Sequence, residues 1–146
     1  MKQSNIGIGV VGAGRIGTLR ARLAAKHPCV RFLAISDRDP ARARALAEEA
    51  GADLHTGSNE EVIGHPEVTA VIVSTPEQEH TAPILHALKL GKPVLVEKPI
   101  GFSLADADKI LETLRQTKGD LRVGYSRRYK ECFLRAKEQM RHGRLG

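Results

Sequence analysis

A glycine-rich turn near the N-terminus restricts the fold more than any other feature of the sequence. It reads Gly12-Ala13-Gly14-Arg15-Ile16-Gly17 and connects an apolar, strand-like stretch at residues 5–11 to a helical pattern at residues 15–26. In such a turn the first glycine permits the tight bend, the second lets the backbone approach a pyrophosphate, and the third allows the helix to pack closely on the strand. The N-terminus of the helix offers free N–H groups to the phosphates. The pattern predicts a dinucleotide-binding unit, with a turn that binds no ligand as the alternative.

Strands and helices alternate along the rest of the chain. The strand-like runs lie at residues 30–36, 53–56, 70–74, 94–97 and 121–125, and the helical patterns at residues 41–50, 59–63, 81–90 and 103–118. The strands are apolar on both faces, which is typical of a parallel sheet covered on both sides. We therefore predict an α/β fold, a doubly wound parallel sheet of the Rossmann type, with residues 1–126 as the dinucleotide-binding domain.

The end of the chain differs from this domain in charge. Residues 122–146 carry eight Lys and Arg against two Glu, which accounts for the whole net charge of +6. Residues 129–141 have helical periodicity, with Tyr129, Cys132, Phe133, Ala136 and Met140 on one face. We predict that residues 127–146 form a basic amphipathic helix that packs back on the sheet or leads toward a second domain. In an isolated domain, this face should cause self-association or leave the helix disordered.

Composition restricts the partners and the compartment. A charge confined to one end, with five aromatic residues and no Trp, argues against a nucleic-acid partner, although an anionic partner for the basic end is an alternative. No apolar run is long enough to span a membrane. The sequence has no secretion signal, and its two cysteines, Cys29 and Cys132, lie far apart, so we expect a cytoplasmic protein with reduced thiols. The histidines show no metal-ligand spacing, and we expect no metal site.

The end of the second predicted strand carries the signal for the cofactor. Asp37 follows this strand, 20 residues after Gly17. An acidic side chain there can accept hydrogen bonds from the ribose hydroxyls, and it repels a 2′-phosphate, which favours NAD. The neighbouring Arg38 could pair with that phosphate, so NADP stays open. The alternative is that Asp37 only caps the turn at residues 37–40.

A lysine follows the fifth predicted strand in the sequence Glu97-Lys98-Pro99. Ligands bind beyond the carboxyl ends of the strands in a parallel sheet, so Lys98 should reach the same crevice as the glycine-rich turn. An ammonium group there could polarise a hydroxyl or carbonyl group and assist proton transfer. The alternative is a solvated lysine at a strand end.

Four motifs together resemble the glucose-fructose oxidoreductase / inositol dehydrogenase / MocA (Gfo/Idh/MocA) family. They are the glycine-rich turn, Ser74-Thr75-Pro76 followed by His80, the run Gly91-Lys92-Pro93-Val94-Leu95-Val96-Glu97-Lys98-Pro99, and Gly124-Tyr125-Ser126-Arg127-Arg128-Tyr129. The resemblance covers essentially the whole chain. It implies hydride transfer between NAD or NADP and a hydroxyl-bearing carbon of a sugar or polyol. It also implies a second α+β domain absent from this chain, through which members can form homo-oligomers.

The resemblance also implies roles for individual residues. Lys98 matches the catalytic lysine, and the Lys98–Pro99 bond is expected to be cis. Arg127 and Arg128 match an arginine pair at the junction of the two domains. The predicted cofactor-binding residues are Gly12, Gly14, Arg15, Ile16, Gly17, Asp37, Arg38, Ser74, Thr75, Pro76, His80, Glu97 and Lys98. Without the second domain, the chain alone is expected to be inactive, and a non-catalytic dinucleotide-binding module or regulatory fragment is the alternative function.

Overall fold

Six strands and six helices alternate in the computed structural model, which describes residues 5–144. The elements are β1 (Ile6–Val11), α1 (Arg15–Ala25), β2 (Val30–Ser36), α2 (Pro40–Ala50), β3 (Leu54–Thr56), α3 (Asn59–Gly64), β4 (Ala70–Val73), α4 (Thr81–Lys89), β5 (Val94–Val96), α5 (Leu104–Thr117), β6 (Leu121–Val123) and α6 (Glu131–Arg141). Short 3-10 turns, Glu77–Glu79 and Ser126–Tyr129, precede α4 and α6. The ends of the two predicted domains, residues 1–4 and 145–146, lie outside the described residues.

All six strands run parallel, in the order β3-β2-β1-β4-β5-β6. The chain winds outward in one direction from β1 to β3 and in the other from β4 to β6. The order therefore reverses between β1 and β4, and this is where a doubly wound sheet opens a crevice for a ligand. The predicted fold class is confirmed.

Two apolar layers hold the sheet between its helices. On one face, α3, α4 and α5 bury a cluster that includes Val73, Ile84 and Ile110. On the other face, α1 and α2 bury a smaller cluster with many alanines, such as Ala21 and Ala43. Small side chains let these two helices lie close to the strands that carry the glycine-rich turn, and the buried apolar area stabilises that arrangement.

Local signals set the ends of the helices. Asp39 caps α2 by accepting a hydrogen bond from the Ala41 N–H, and Gly51 ends the helix with a positive φ of 67°. Ser103 followed by Asp106 in the sequence is typical of a capping box, and Ser103 is the N-cap of α5. Its hydroxyl accepts from the Asp106 N–H at 3.1 Å and donates to the Asp106 carboxylate at 2.7 Å. The helix therefore begins at Leu104.

The last two strands are shorter than predicted. β5 ends at Val96 instead of residue 97, because the chain turns away into the Lys98–Pro99 bond, and a proline has no N–H for the ladder. This bond is cis, as expected. β6 ends at Val123 instead of residue 125, because the Tyr125 N–H bonds back to the carbonyl of Val123 in a tight turn.

The predicted helix at residues 129–141 is interrupted. Tyr129 belongs to the 3-10 turn, Lys130 is extended, and α6 begins at Glu131. No residue of α6 is buried, and Tyr129 and Met140 are 81 % and 67 % exposed. The helix does not pack back on the sheet, so its apolar face stays open. None of the helices in residues 5–144 combines the length and apolar character that a membrane crossing requires.

Candidate nucleotide-binding site

Two adjoining cavities open where the strand order reverses. The larger cavity has a volume of about 870 Å³ and the smaller cavity about 260 Å³. They share a wall formed by Arg15, Ile16, Ser74 and Thr75. The glycine-rich turn and Asp37 line the smaller cavity, while Lys98 lines the larger one. Of the predicted site residues, all except Gly17 line one of these cavities.

The glycine-rich turn is shaped by close backbone contacts. Gly12 has a positive φ of 97°, and a Cβ there would lie 2.8 Å from the backbone of Ser74. A Cβ on Gly17 would lie 1.7 Å from the Gly12 carbonyl oxygen. Gly17 therefore allows the helix to pack closely against the turn, and it lines neither cavity. A Cβ on Gly14 would meet nothing within 4 Å. Among the described residues, the space beside Gly14 is therefore free, and Gly14 lines the smaller cavity.

The N-terminus of α1 is suited to an anion. Gly14 is its N-cap, and within residues 5–144 no side chain caps the helix there. The first N–H groups of a helix have no partner within the helix, and together with the helix dipole they attract phosphate.

Asp37 is both a turn cap and a wall of the smaller cavity. Its Oδ2 accepts from the Ala13 N–H at 2.7 Å, and its Oδ1 accepts from the Asp39 N–H at 2.9 Å. The residue is 9 % exposed. Since each carboxylate oxygen can accept two hydrogen bonds, acceptor capacity remains for a ribose hydroxyl. The bond to Ala13 ties the end of β2 to the glycine-rich turn, which the sequence did not reveal.

Arg38 crosses the edge of the smaller cavity. Its guanidinium contacts the Glu79 carboxylate at 2.8 Å, and its side chain is 78 % exposed. Glu79 belongs to the 3-10 turn after β4, so the pair joins the two sides of the cavity. An exposed pair of this kind is weak and can exchange partners.

His80 is a buried bridge between two loops of the site. Its Nδ1 lies 2.8 Å from the Pro99 carbonyl oxygen, and its Nε2 lies 3.0 Å from the Thr75 carbonyl oxygen. A neutral imidazole donates to one of them and a protonated imidazole to both. The residue thus holds the loop after β5, which carries Lys98, against the loop after β4.

Two buried hydroxyls at the shared wall are without hydrogen-bond partners in the described part of the chain. They are Ser74 Oγ and Thr75 Oγ1. A buried polar group without a partner costs about 1–3 kcal/mol, so such groups call for an explanation. A polar ligand in the cavities would supply partners. These hydroxyls, the space beside Gly14 and the uncapped helix fit a bound dinucleotide.

Glu97 lines the larger cavity and is hydrogen-bonded to α1. Its Oε1 accepts from Arg20 Nε at 2.9 Å and from an Arg20 terminal nitrogen at 2.5 Å. A Cβ on Gly124 would lie 3.2 Å from both Glu97 oxygens, so a glycine there gives the carboxylate room against the backbone. Arg20 was not predicted as a site residue. The sequence feature that could have identified it is its position one helical turn after Ile16, which lines both cavities.

A doubly wound parallel sheet with this turn at the reversal of strand order, and an acid at the end of the next strand, defines a Rossmann-type dinucleotide-binding domain. The comparison with known proteins narrows the class. Residues 6–125 match the Gfo/Idh/MocA family, described as an oxidoreductase family with an NAD-binding Rossmann fold. The chain belongs to this family, and the predicted resemblance is confirmed.

The similar proteins include several inositol dehydrogenases. The chain is 33 % identical over 139 residues to the myo-inositol 2-dehydrogenase of Thermotoga maritima, covering 95 % of the chain and 42 % of that protein. It is 35 % identical over 143 residues to the inositol 2-dehydrogenase of Rubrobacter xylanophilus, covering 97 % and 41 %. The chain therefore spans about two fifths of the length of these relatives.

Two solved structures agree with this assignment. Scyllo-inositol dehydrogenase from Lactobacillus casei, with bound NAD(H) and scyllo-inositol, matches 97 % of this chain and 42 % of its own with a TM-score of 0.88 at 28 % identity. GenD2 from gentamicin A biosynthesis, in complex with NAD, matches 92 % and 38 % with a TM-score of 0.85 at 30 % identity. NAD is thus bound by two solved structures with this fold.

Proposed function

We propose that this chain is the NAD-binding domain of an oxidoreductase that transfers a hydride between NAD and a hydroxyl-bearing carbon of a sugar or polyol. The observation that carries the proposal is the common cleft of the glycine-rich turn and Lys98, whose two cavities share one wall. When bound, NAD supplies the carbon that accepts or donates the hydride. The similarity to inositol dehydrogenases supports a polyol as the substrate class.

The smaller cavity would hold the adenosine side of the cofactor. The N–H groups at the start of α1 would bind the pyrophosphate, with Gly14 admitting its close approach. Asp37 would accept hydrogen bonds from the ribose. The same carboxylate repels a 2′-phosphate, so NAD is the expected cofactor, and NADP would require Arg38 to leave Glu79.

The larger cavity would hold the reacting atoms. Lys98 is exposed at its wall. In the reduction direction, its ammonium group would donate a hydrogen bond and then a proton from Nζ to the carbonyl oxygen as the C–H bond forms. In the oxidation direction, the neutral amine would accept the hydroxyl proton at Nζ as the C–H bond breaks. Thr75 and His80 line the same cavity, and the His80 bridge fixes the loop from which Lys98 projects.

A second candidate is a non-catalytic dinucleotide-binding module. Such a module would bind the dinucleotide in the same smaller cavity, so cofactor binding is expected of both candidates. In either case, residues 127–146 would be the segment that leads from this domain toward a second one. The cytoplasmic location stays a prediction of the sequence.

Titration of the chain with NADH and NADPH, followed by calorimetry or by NADH fluorescence, tests cofactor binding. Gly14→Val is the sharpest variant, because its side chain enters space that the protein leaves free and a pyrophosphate would need. We expect it to fold and to weaken NADH binding at least about tenfold. Gly64→Val is the matched control, since its Cβ also meets nothing within 4 Å but lies in α3. Absence of saturable binding of either cofactor to the unmodified chain would refute the proposal.

A further inference from the structure

Glu97, in the wall of the larger cavity, forms an ion pair with Arg20, which is not one of the predicted site residues. Glu97 is 15 % exposed and Arg20 is 21 % exposed. Both donor nitrogens of Arg20 reach the same oxygen, Oε1. Charge-assisted hydrogen bonds in a largely buried setting are stronger than those at an open surface. The carboxylate is therefore held toward α1.

Glu97 could have another partner in the same cavity. Lys98 is its neighbour in the chain, and both residues line the larger cavity. Three further cations line that cavity, and they are Arg15, Arg127 and Arg128. A carboxylate released from Arg20 would pair with one of these cations or face the cavity as an uncompensated negative charge. Either outcome lowers the positive potential that attracts a dinucleotide with two phosphate charges.

We infer that Arg20 is a positioning residue, which holds Glu97 away from Lys98 and keeps the cleft electropositive for the cofactor. The inference rests on the proposed function, since it assumes that the cleft binds NAD and that Lys98 acts on the substrate. Arg20 lies on α1, the helix whose N-terminus would bind the pyrophosphate. The same rigid element thus supports the phosphate site and fixes the charge next to Lys98.

The test compares two arginines of one helix. Arg20→Met removes the charge and keeps an unbranched chain that reaches as far as the Nε position of arginine. Arg22→Met is the matched control, because Arg22 forms an exposed ion pair with Glu49 on α2 and lines neither cavity. Two quantities are measured, the Kd for NADH and the rate at which formaldehyde with cyanoborohydride methylates Lys98. Mass spectrometry reports that rate relative to Lys109, an exposed lysine on α5.

We expect Arg20→Met to weaken NADH binding and to slow Lys98 methylation, each by about two- to five-fold, the usual size of one partly screened charge interaction. Arg22→Met should leave both values at those of the unmodified chain. The double variant Arg20→Met/Glu97→Gln should restore both, because the released carboxylate is gone. A merely structural role for Arg20 would lower the Tm without changing the relative rate at Lys98. Should Arg20→Met not fold, Arg20→Gln, which keeps N–H donors without the charge, replaces it.

The outcomes separate this inference from the proposed function. If the unmodified chain binds NADH but Arg20→Met behaves like Arg22→Met, the inference about Arg20 is wrong and the proposed function stands. If the double variant does not recover, the loss came from packing, and the inference is also wrong. If the unmodified chain binds neither cofactor, the proposed function fails, and the Lys98 methylation rates still decide whether Arg20 keeps Glu97 from Lys98.

Discussion

Arg20 and Glu97 are 77 positions apart in the sequence, and their ion pair joins α1 to the loop that carries Lys98. A second arginine of the same helix, Arg22, pairs with Glu49 on α2. The side chains of the first pair are 21 and 15 % exposed, and those of the second pair 54 and 48 %. Charges that are less accessible to water and salt interact more strongly. The first pair should therefore contribute more to the stability of the fold.

A double-mutant cycle with Arg20→Met and Glu97→Gln, measured by urea unfolding, tests this difference. We expect a coupling free energy of about 1.5–3 kcal/mol, the range for hydrogen bonds to charged groups. The stability losses of the two single variants should add up to more than the loss in the double variant. The reason is that each single variant leaves a largely buried partner without its counter-charge. The control cycle with Arg22→Met and Glu49→Gln should give a smaller coupling. Equal couplings would contradict the structure.

Gly17 should be the glycine of the turn that matters most for folding. An added Cβ would lie 1.7 Å from the Gly12 carbonyl oxygen, a contact that only a backbone shift could relieve. We expect Gly17→Ala to lower the free energy of unfolding by roughly 3 kcal/mol or more, the upper range for overpacking. Gly64→Ala, in α3 with open space around it, should be neutral or stabilising. A Tm for Gly17→Ala that equals that of the unmodified chain would show that the turn is looser than described.

The fold could be predicted because its signals are local. Pro40 and Gly51 mark the ends of α2, and the glycine-rich turn marks the crevice, within a few residues of the elements they define. The partners of the polar side chains could not be predicted. Arg20, for example, is a charged residue of the kind expected on a solvated helix face. Its contact with Glu97 exists only because β5 lies next to β4 in the sheet. The two carbonyl contacts of His80 likewise depend on loops that only the tertiary structure brings together.

Asp37→Ser should change the preference between the two cofactors. The substitution removes the charge that repels a 2′-phosphate, while Arg38 and Arg42 line the same smaller cavity and could bind that phosphate. We expect the ratio of NADPH to NADH affinity to rise by at least about tenfold. Asp53→Ser is a suitable control, because Asp53 also accepts a backbone hydrogen bond, from the Leu33 N–H at 2.8 Å, but lies outside both cavities. An unchanged ratio would assign Asp37 to the turn alone.

The exposed face of α6 should cause self-association of the isolated chain. Phe133 is 49 % exposed and Met140 is 67 % exposed, and α6 buries none of its residues. We expect sedimentation velocity to show concentration-dependent association that Phe133→Ser reduces. Lys137→Ser, an exposed position of the same helix, should leave it unchanged. A monomer at all concentrations would mean that the apolar face of α6 does not cause association.

Lys92 should stabilise the fold without affecting the cofactor. Its Nζ donates to the carbonyl oxygens of Ile63 and His65, at 2.5 and 2.8 Å, at the end of α3. Lys92→Met leaves these acceptors without a donor, and we expect it to cost about 1–3 kcal/mol in urea unfolding. NADH affinity should not change, because Lys92 lines neither cavity. Lys89→Met, at an exposed position of α4, should have little effect on either quantity.

The contribution of Lys92 should also depend on pH in a defined direction. Burial lowers the pKa of its ammonium group below the ordinary value of 10.5. Between the folded and unfolded pKa values, the unfolded chain binds more protons at this residue than the folded chain does, so its contribution to stability rises as the pH increases toward 10.5. The free energy of unfolding of the unmodified chain, minus that of Lys92→Met, should therefore increase over this range. A difference that falls with pH would mean that the carbonyl contacts outweigh burial and hold the ammonium group in its charged form.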